Sequence, residues 1–152
     1  MSVSRTQPGV PIRIYIEDTD AGGIVFYANY LRYFERARTE FIRSLGFQLR
    51  QGLQDNISYV VHSVELRYHK PARLDDEVVA YAELAALGRT YMMFRQWVEK
   101  VDGTLLVEGQ VKVACVALDS GRPRALAKEL TKELSKELPE RLAQMLPGAT
   151  HQ

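Results

Sequence analysis

The chain has 152 residues, 46% of them hydrophobic, and its 20 Lys and Arg against 19 Asp and Glu leave a formal net charge of +1. That length and apolar content suit one domain with a buried core, and a near-neutral balance offers no basic patch for nucleic acid. Met1 to Gly9 lack the apolar run of a signal peptide, no segment reaches the length that spans a bilayer, and a single cysteine excludes an intramolecular disulfide, so a cytoplasmic protein is expected.

In chain order, Ile12, Ile14 and Ile16 alternate with Arg13, Tyr15 and Glu17, the period of two that marks a strand with one buried face. The carboxylates Glu17, Asp18 and Asp20 come next and lead into Gly22-Gly23, a pair that tolerates positive φ and close backbone approach. Tyr30, Phe34, Ala37, Phe41 and Leu45 then recur at helical spacing, and Gly46 suits the C′ position that ends a helix. Four strands are predicted beyond it. The first runs from about Ile57 to His69 with Val60, Val64, Leu66 and Tyr68 on one face, and Pro71 restricts the chain that follows. The second covers Glu77 to Leu87 and turns at Gly88-Arg89. In the third, Thr90 to Val101, Met92, Phe94, Gln96 and Val98 face one way, and Asp102-Gly103 is a hairpin signal. The fourth, Thr104 to Leu118, has Leu105, Val107, Val111 and Val113 on its buried side, with Cys115 in the same series as a small core residue rather than a nucleophile.

A repeat of Lys-Glu-Leu at Lys128, Lys132 and Lys136 spaces leucines four apart from Leu126 to Leu142, which predicts a C-terminal helix that packs locally, with Glu129–Lys132 and Glu133–Lys136 pairs on its outer face and Pro139 interrupting it. Residues 1–10 are expected to be a flexible N-terminus, 11–146 the domain with its helical extension, and 147–152 a mobile tail. One long helix and an antiparallel meander make the fold α+β, with the sheet curled around the helix. Several strands are apolar on both faces, so burial by a second copy of the chain is the economical expectation.

Chemistry concentrates at the acidic turn. Strand, turn and helix in succession bring Asp18 and Asp20 near N–H groups that lack intrahelical partners and carry partial positive charge. A carbonyl oxygen docked there would be polarised while a carboxylate attacks its carbon or activates a water, the two tasks of acyl-transfer hydrolysis. The competing reading is that these residues only cap the helix. Other sites fail on spacing. Asp18-x-Asp20-x-Gly22 begins like a calcium loop, but Asn29 stands where a bidentate glutamate is needed, and His62, His69 and His151 form no zinc spacing with Cys115, so no metal is expected. His62 falls in step with Val60 and Val64 and reads as a core or interface histidine. Neither a Gly-x-Ser-x-Gly elbow nor a phosphate-binding glycine loop occurs.

The run Tyr15-x-Glu-Asp-Thr-Asp-Ala-Gly-Gly-Ile-Val25, then Asn29-Tyr30, Phe34-Glu-Arg-Ala-Arg-Thr-Glu40, Tyr68-His-Lys-Pro-Ala-Arg-Leu-Asp-Asp76 and Arg122-Pro-Arg-Ala-Leu126 resembles the hotdog-fold acyl-CoA thioesterases, in particular the Tol-Pal-associated family and its relative 4-hydroxybenzoyl-CoA thioesterase. The resemblance covers most of the chain. It implies a hotdog domain, an antiparallel sheet wrapped around one long central helix, with an extra C-terminal helix. It also implies that Asp20 is the catalytic carboxylate and the Tyr27 backbone N–H the oxyanion donor. Some Tol-Pal-associated members have histidine where this chain has Tyr27 and tyrosine where it has Ile16, whereas the hydroxybenzoyl relative also carries an aromatic residue at the Tyr27 position. Because other hotdog thioesterases use a carboxylate on the helix, Glu35 is held as a reserve catalytic residue, set against a surface ion pair with its neighbouring arginines. The same resemblance points to Arg89 and Arg124 as contacts for coenzyme A phosphates, with Lys70 and Arg73 as weaker candidates.

The resulting expectation is a hydrolase of short- or medium-chain or aryl acyl-CoA, with Asp20 as nucleophile or general base. No cofactor is expected, since the coenzyme A thioester is the substrate, and the assembly is expected to be a dimer or a dimer of dimers. A non-catalytic acyl-CoA or acyl-carrier-protein binding module is the alternative. A hotdog hydratase ranks last, for the chain lacks a Gly-Asp-x-Asn-Pro-x-His type segment.

Overall fold

The structure, a computed structural model, describes residues 9–138. Its strands are β1 (Val10–Arg13), β2 (Ile57–Tyr68), β3 (Glu77–Leu87), β4 (Tyr91–Lys100) and β5 (Leu105–Ala117), in one sheet of order β1-β3-β4-β5-β2. The helices are α1 (Asn29–Ser44), α2 (Leu49–Gln54) and α3 (Lys128–Lys136). A five-stranded antiparallel sheet with one long helix and a C-terminal helix is the α+β hotdog arrangement that the sequence implied. Contacts divide the described residues into two compact units, one holding residues 9–41 with Glu65–Ala82 and Gln96–Gly109, the other Ile42–Val64, Glu83–Arg95 and residues 110–138.

In the first unit β1 pairs antiparallel with β3, Val10 opposite Ala80 and Arg13 opposite Glu77. The helix stripe follows its spacing through four of five positions: Tyr30, Phe34, Ala37 and Phe41 are buried, joined by Tyr33, whereas Leu45 lies past the end of α1 and is half-buried. Removing each large side chain from water contributes roughly 1.5–3 kcal/mol. Facing them is Gln96 of β4, a polar residue with no exposed surface. Its Nε2 donates to the Phe34 carbonyl at 2.8 Å and its Oε1 accepts from Arg38 Nη1 at 3.0 Å, so both ends of the amide are satisfied. Burial lowers the Arg38 pKa, and the nearby Glu35 carboxylate opposes that shift. Gly109 of β5 lies so close to β2 that a Cβ there would overlap the Glu65 carbonyl, which is why a glycine stands inside this strand.

In the second unit α1 ends at Gly46, whose φ of +94° and bond from its N–H to the Arg43 carbonyl at 2.9 Å close the helix. Leu126, Leu130, Leu134 and Leu138 are buried, so the four-residue leucine spacing does form a packed stripe, and Lys136 pairs with Glu133 at 3.2 Å. Leu142, Pro139 and the tail lie outside the described residues. Cys115 is buried, and burial pushes its thiol up, as suits an inert core cysteine. Burial likewise pushes the Tyr59 hydroxyl up to about 12.

Three features depart from the sequence reading. The first strand stops at Arg13, because the Asp18 carboxylate accepts from Tyr15 N–H at 2.8 Å and closes a 3-10 turn over Ile16–Asp18. Ile16 is therefore 76% exposed instead of joining Ile12 and Ile14 in the core. The short helix α2, with Gly52 inside it and no apolar period, had no sequence signal. Along β2 only Ile57 is buried, while Val60, Val61, Val64 and Tyr68 stay 41–49% exposed and His62 is exposed with them, so His62 is not a core histidine within this chain.

Candidate active site

The acidic turn is a tight backbone structure built within the first unit. Asp20 N–H donates to Ile24 O at 2.9 Å and Gly23 N–H to Asp20 O at 3.0 Å, and Thr19 bridges to Val25. Gly23 sits at φ +80°, a conformation that a side chain disfavours. The far limb is tied to the segment after β2 by Val25 N–H to Ala72 O at 2.9 Å and Leu74 N–H to Gly23 O at 3.1 Å. Asp20 Oδ1 accepts from Gly22 N–H at 2.9 Å, which fixes one carboxylate oxygen. No bond occupies the other among the described residues, and the residue is exposed.

Asp18, two residues earlier, is committed elsewhere. Its Oδ2 takes the Tyr15 N–H, while its carbonyl accepts from Phe26 N–H at 2.9 Å and from Asn29 Nδ2 at 2.8 Å. It thereby ties the 3-10 turn to the first residue of α1 and serves as an anchor. Burial, and after it this carboxylate, hold the Tyr33 hydroxyl well above its usual pKa, and among the described residues it is a buried hydroxyl that meets no hydrogen-bond partner at bonding geometry.

At the helix start Asn29 N–H donates to Phe26 O at 2.8 Å and Leu31 N–H to Ala28 O at 3.1 Å. Among the described residues the N–H groups of Tyr27 and Ala28 donate to no main-chain carbonyl, so they are the open donors of this terminus. Beside them is a pocket of about 310 Å³ lined by Ile24, Val25, Tyr27, Tyr30 and the Tyr68–Pro71 stretch. Its aromatic walls hold one another in place. Tyr68 Oη donates to Tyr27 O at 3.1 Å, and Tyr30 Oη accepts from Ala72 N–H at 3.0 Å. Asp20 is not in the lining; its main-chain N–H bonds the carbonyl of Ile24, which is.

The other expected site residues are distributed as follows. Glu35 is exposed on α1, close enough to act electrostatically on Arg38. Arg89 and Arg124 belong to the second unit, where Leu126 N–H bonds Arg89 O at 3.0 Å and Arg124 N–H bonds Cys115 O at 2.9 Å. Arg89 is exposed. Arg124 Nη1 is already engaged by the Asp55 and Asn56 carbonyls at 2.9 and 2.8 Å, where it closes the end of α2. Sequence reasoning missed the pocket, because Tyr68 and Tyr30 looked like core-face residues; only the density of tyrosines near the turn pointed to it. Among the described residues no three His, Cys, Asp or Glu side chains gather as a metal site would need, and no helix is long and apolar enough to cross a membrane.

Comparison with known proteins places the same segments in a family context. Residues 22–107 match the family described as Thioesterase superfamily. The chain is 39% identical over 120 residues to acyl-CoA thioester hydrolase YbgC of Escherichia coli O6:H1, an alignment covering 79% of this chain and 90% of that one. It is also 39% identical over 121 residues to acyl-CoA thioesterase YbgC of Haemophilus influenzae, covering 79% and 88% respectively. Among solved structures, a hypothetical protein from Aquifex aeolicus superposes with a TM-score of 0.77 at 32% identity, covering 83% of this chain and 98% of that one.

Proposed function

The chain belongs to the thioesterase superfamily, a family of thioester hydrolases, and we propose that it hydrolyses acyl-CoA to free acid and coenzyme A at the Asp20 turn. What supports this reading is that Asp20 has one oxygen held by Gly22 N–H and the other open, and that the N–H groups of Tyr27 and Ala28, seven and eight residues on, donate to no main-chain carbonyl among the described residues. A thioester oxygen received by Tyr27 N–H gains a donor suited to the negative charge that develops as the carbonyl becomes tetrahedral. Asp20 then acts as nucleophile on the carbonyl carbon or as base for the attacking water. Of the two arginines considered for coenzyme A phosphate, Arg89 is exposed, whereas Arg124 already spends one guanidinium nitrogen on main-chain carbonyls.

Two apolar surfaces support a homo-oligomer. β2 ends the sheet in the observed strand order, yet presents Val60, Val61, Val64 and Tyr68 to solvent, an edge that a lone chain would leave open to unwanted pairing. Around Asp20, Tyr15, Ile16, Phe26, Tyr27 and Leu31 are all at least 40% exposed. A second copy on either surface excludes water there. The chain mass is 17.3 kDa, and sedimentation is expected to give a dimer or tetramer of it; a monomer at micromolar concentration removes this part of the reading.

Free thiol release from a panel of straight-chain and aryl acyl-CoAs tests the activity itself. At least one substrate should turn over at about one per second or faster, the ordinary range for enzymes. Saturable binding with no release would instead favour the non-catalytic acyl-CoA or acyl-carrier-protein module.

A further inference from the structure

One histidine belongs to the pocket without having been given any role. His69, the residue after β2, lines the same 310 Å³ space as Tyr27, and its Nε2 lies 2.8 Å from Oε2 of Glu108 on β5. A carboxylate can only accept, so the neutral ring carries its proton on Nε2 and leaves the Nδ1 lone pair as a base. The ring is also held in place by its own backbone, since His69 N–H and Lys70 N–H both donate to Leu106 O, at 2.8 and 3.1 Å. An imidazole whose far nitrogen is oriented by a carboxylate is the arrangement by which proteins fix a proton acceptor. The other titratable groups lining this pocket are Tyr27, Tyr30, Tyr68 and Lys70, and Glu108 faces His69 from β5.

We propose that His69, oriented by Glu108, takes the proton from the water that completes acyl transfer, which leaves Asp20 free to be the nucleophile; the proposal rests on the thioesterase reading. Asp20 attacks the thioester carbon, the C–S bond breaks, and coenzyme A leaves as a thiolate with the acyl group held as a mixed anhydride on Asp20. Water then attacks the acyl carbon and gives one proton to His69 Nδ1. The anhydride C–O bond breaks to regenerate the Asp20 carboxylate and release the acid. The released thiolate takes a proton from solvent, and the protons on His69 and on the acid pass to solvent, a net release of one. A thiolate leaves without prior protonation, so the first step does not need His69 and the second does.

That asymmetry makes the test specific. In rapid-mixing measurements of thiol release, His69→Gln should give a burst of about one equivalent per site followed by turnover about 100-fold slower than wild type. Glu108→Gln should slow turnover by about ten-fold and keep a smaller burst. His69 is partly exposed, so its replacement leaves the fold intact, and a thermal melt checks this. The proposal is overturned by His69→Gln turning over within about three-fold of wild type, or by a slow variant that shows no burst. If instead wild type is inert on every acyl-CoA, the thioesterase reading fails and takes this one with it. Asp20→Asn inactivity beside an unaffected His69→Gln would sink the histidine role alone.

Discussion

Asp20→Asn is expected to lower kcat by about 10²–10⁴-fold with little change in KM. Asparagine is the informative replacement because it retains Oδ1, and with it the bond from Gly22 N–H at 2.9 Å that shapes the turn. The main-chain bonds of Asp20 to Ile24 and Gly23 do not involve the side chain at all. The substitution thus leaves the loop in place and removes the negative charge, which is what an attack on a carbonyl carbon, or the removal of a proton from water, requires. A role limited to capping predicts the opposite, because a neutral amide caps as well as a carboxylate and the turn is already closed by main-chain bonds. Glu35→Gln is the internal comparison. Glu35 is exposed and acts on Arg38, so its loss should leave kcat within about two-fold. If Asp20→Asn retained activity within a few-fold of wild type while Glu35→Gln did not, the reserve carboxylate would be the catalytic one.

Much of this was legible because it is local. The helix stripe, the glycine that ends it, the Asp102-Gly103 hairpin and the bounds of β3 each follow from a repeating pattern or a short turn signal, and each appears where the pattern puts it. At the hairpin Asp102 Oδ1 accepts both the Thr104 hydroxyl and the Thr104 N–H, which holds its carboxyl below the usual range. Errors arose where a side chain overrides its neighbours' periodicity. Ile16 continues an alternation on paper, yet Asp18 captures Tyr15 N–H and turns the backbone two residues too soon for Ile16 to go inside. His62 and Val60 share a face as expected, but whether a face is covered depends on what lies beyond the chain, and a single sequence does not contain that information. The same limit applied to the candidate site. Asp20 and the helix start are sequence neighbours and could be placed together, whereas Tyr68 and His69 reach the pocket through the pairing of residues 72–74 with 23–25, about 50 positions apart. Composition near the turn carries no trace of that pairing.

Gln96→Leu is expected to destabilise the fold by about 2–4 kcal/mol, close to what a charge-assisted and a neutral hydrogen bond contribute together, less the gain from a more apolar side chain. Gln96 is wholly buried and bonds on both sides, to the Phe34 carbonyl and to the Arg38 guanidinium. Leucine fills most of the volume but leaves the guanidinium without its acceptor in a place where burial already disfavours the charge. For a chain of this length the loss corresponds to roughly 5–15 °C in Tm. Gln96→Glu separates the two bonds. It keeps an acceptor for Arg38 and strengthens that contact, but as a carboxylate it has no donor for Phe34 O, so its cost at neutral pH isolates the loss of that second bond. Both residues bonded by Gln96 lie on α1, which begins directly after the open N–H groups of Tyr27 and Ala28, so one buried amide ties that helix to β4. A Gln96→Leu melt within about 2 °C of wild type would mean that the amide is replaceable and that apolar packing alone seats the helix.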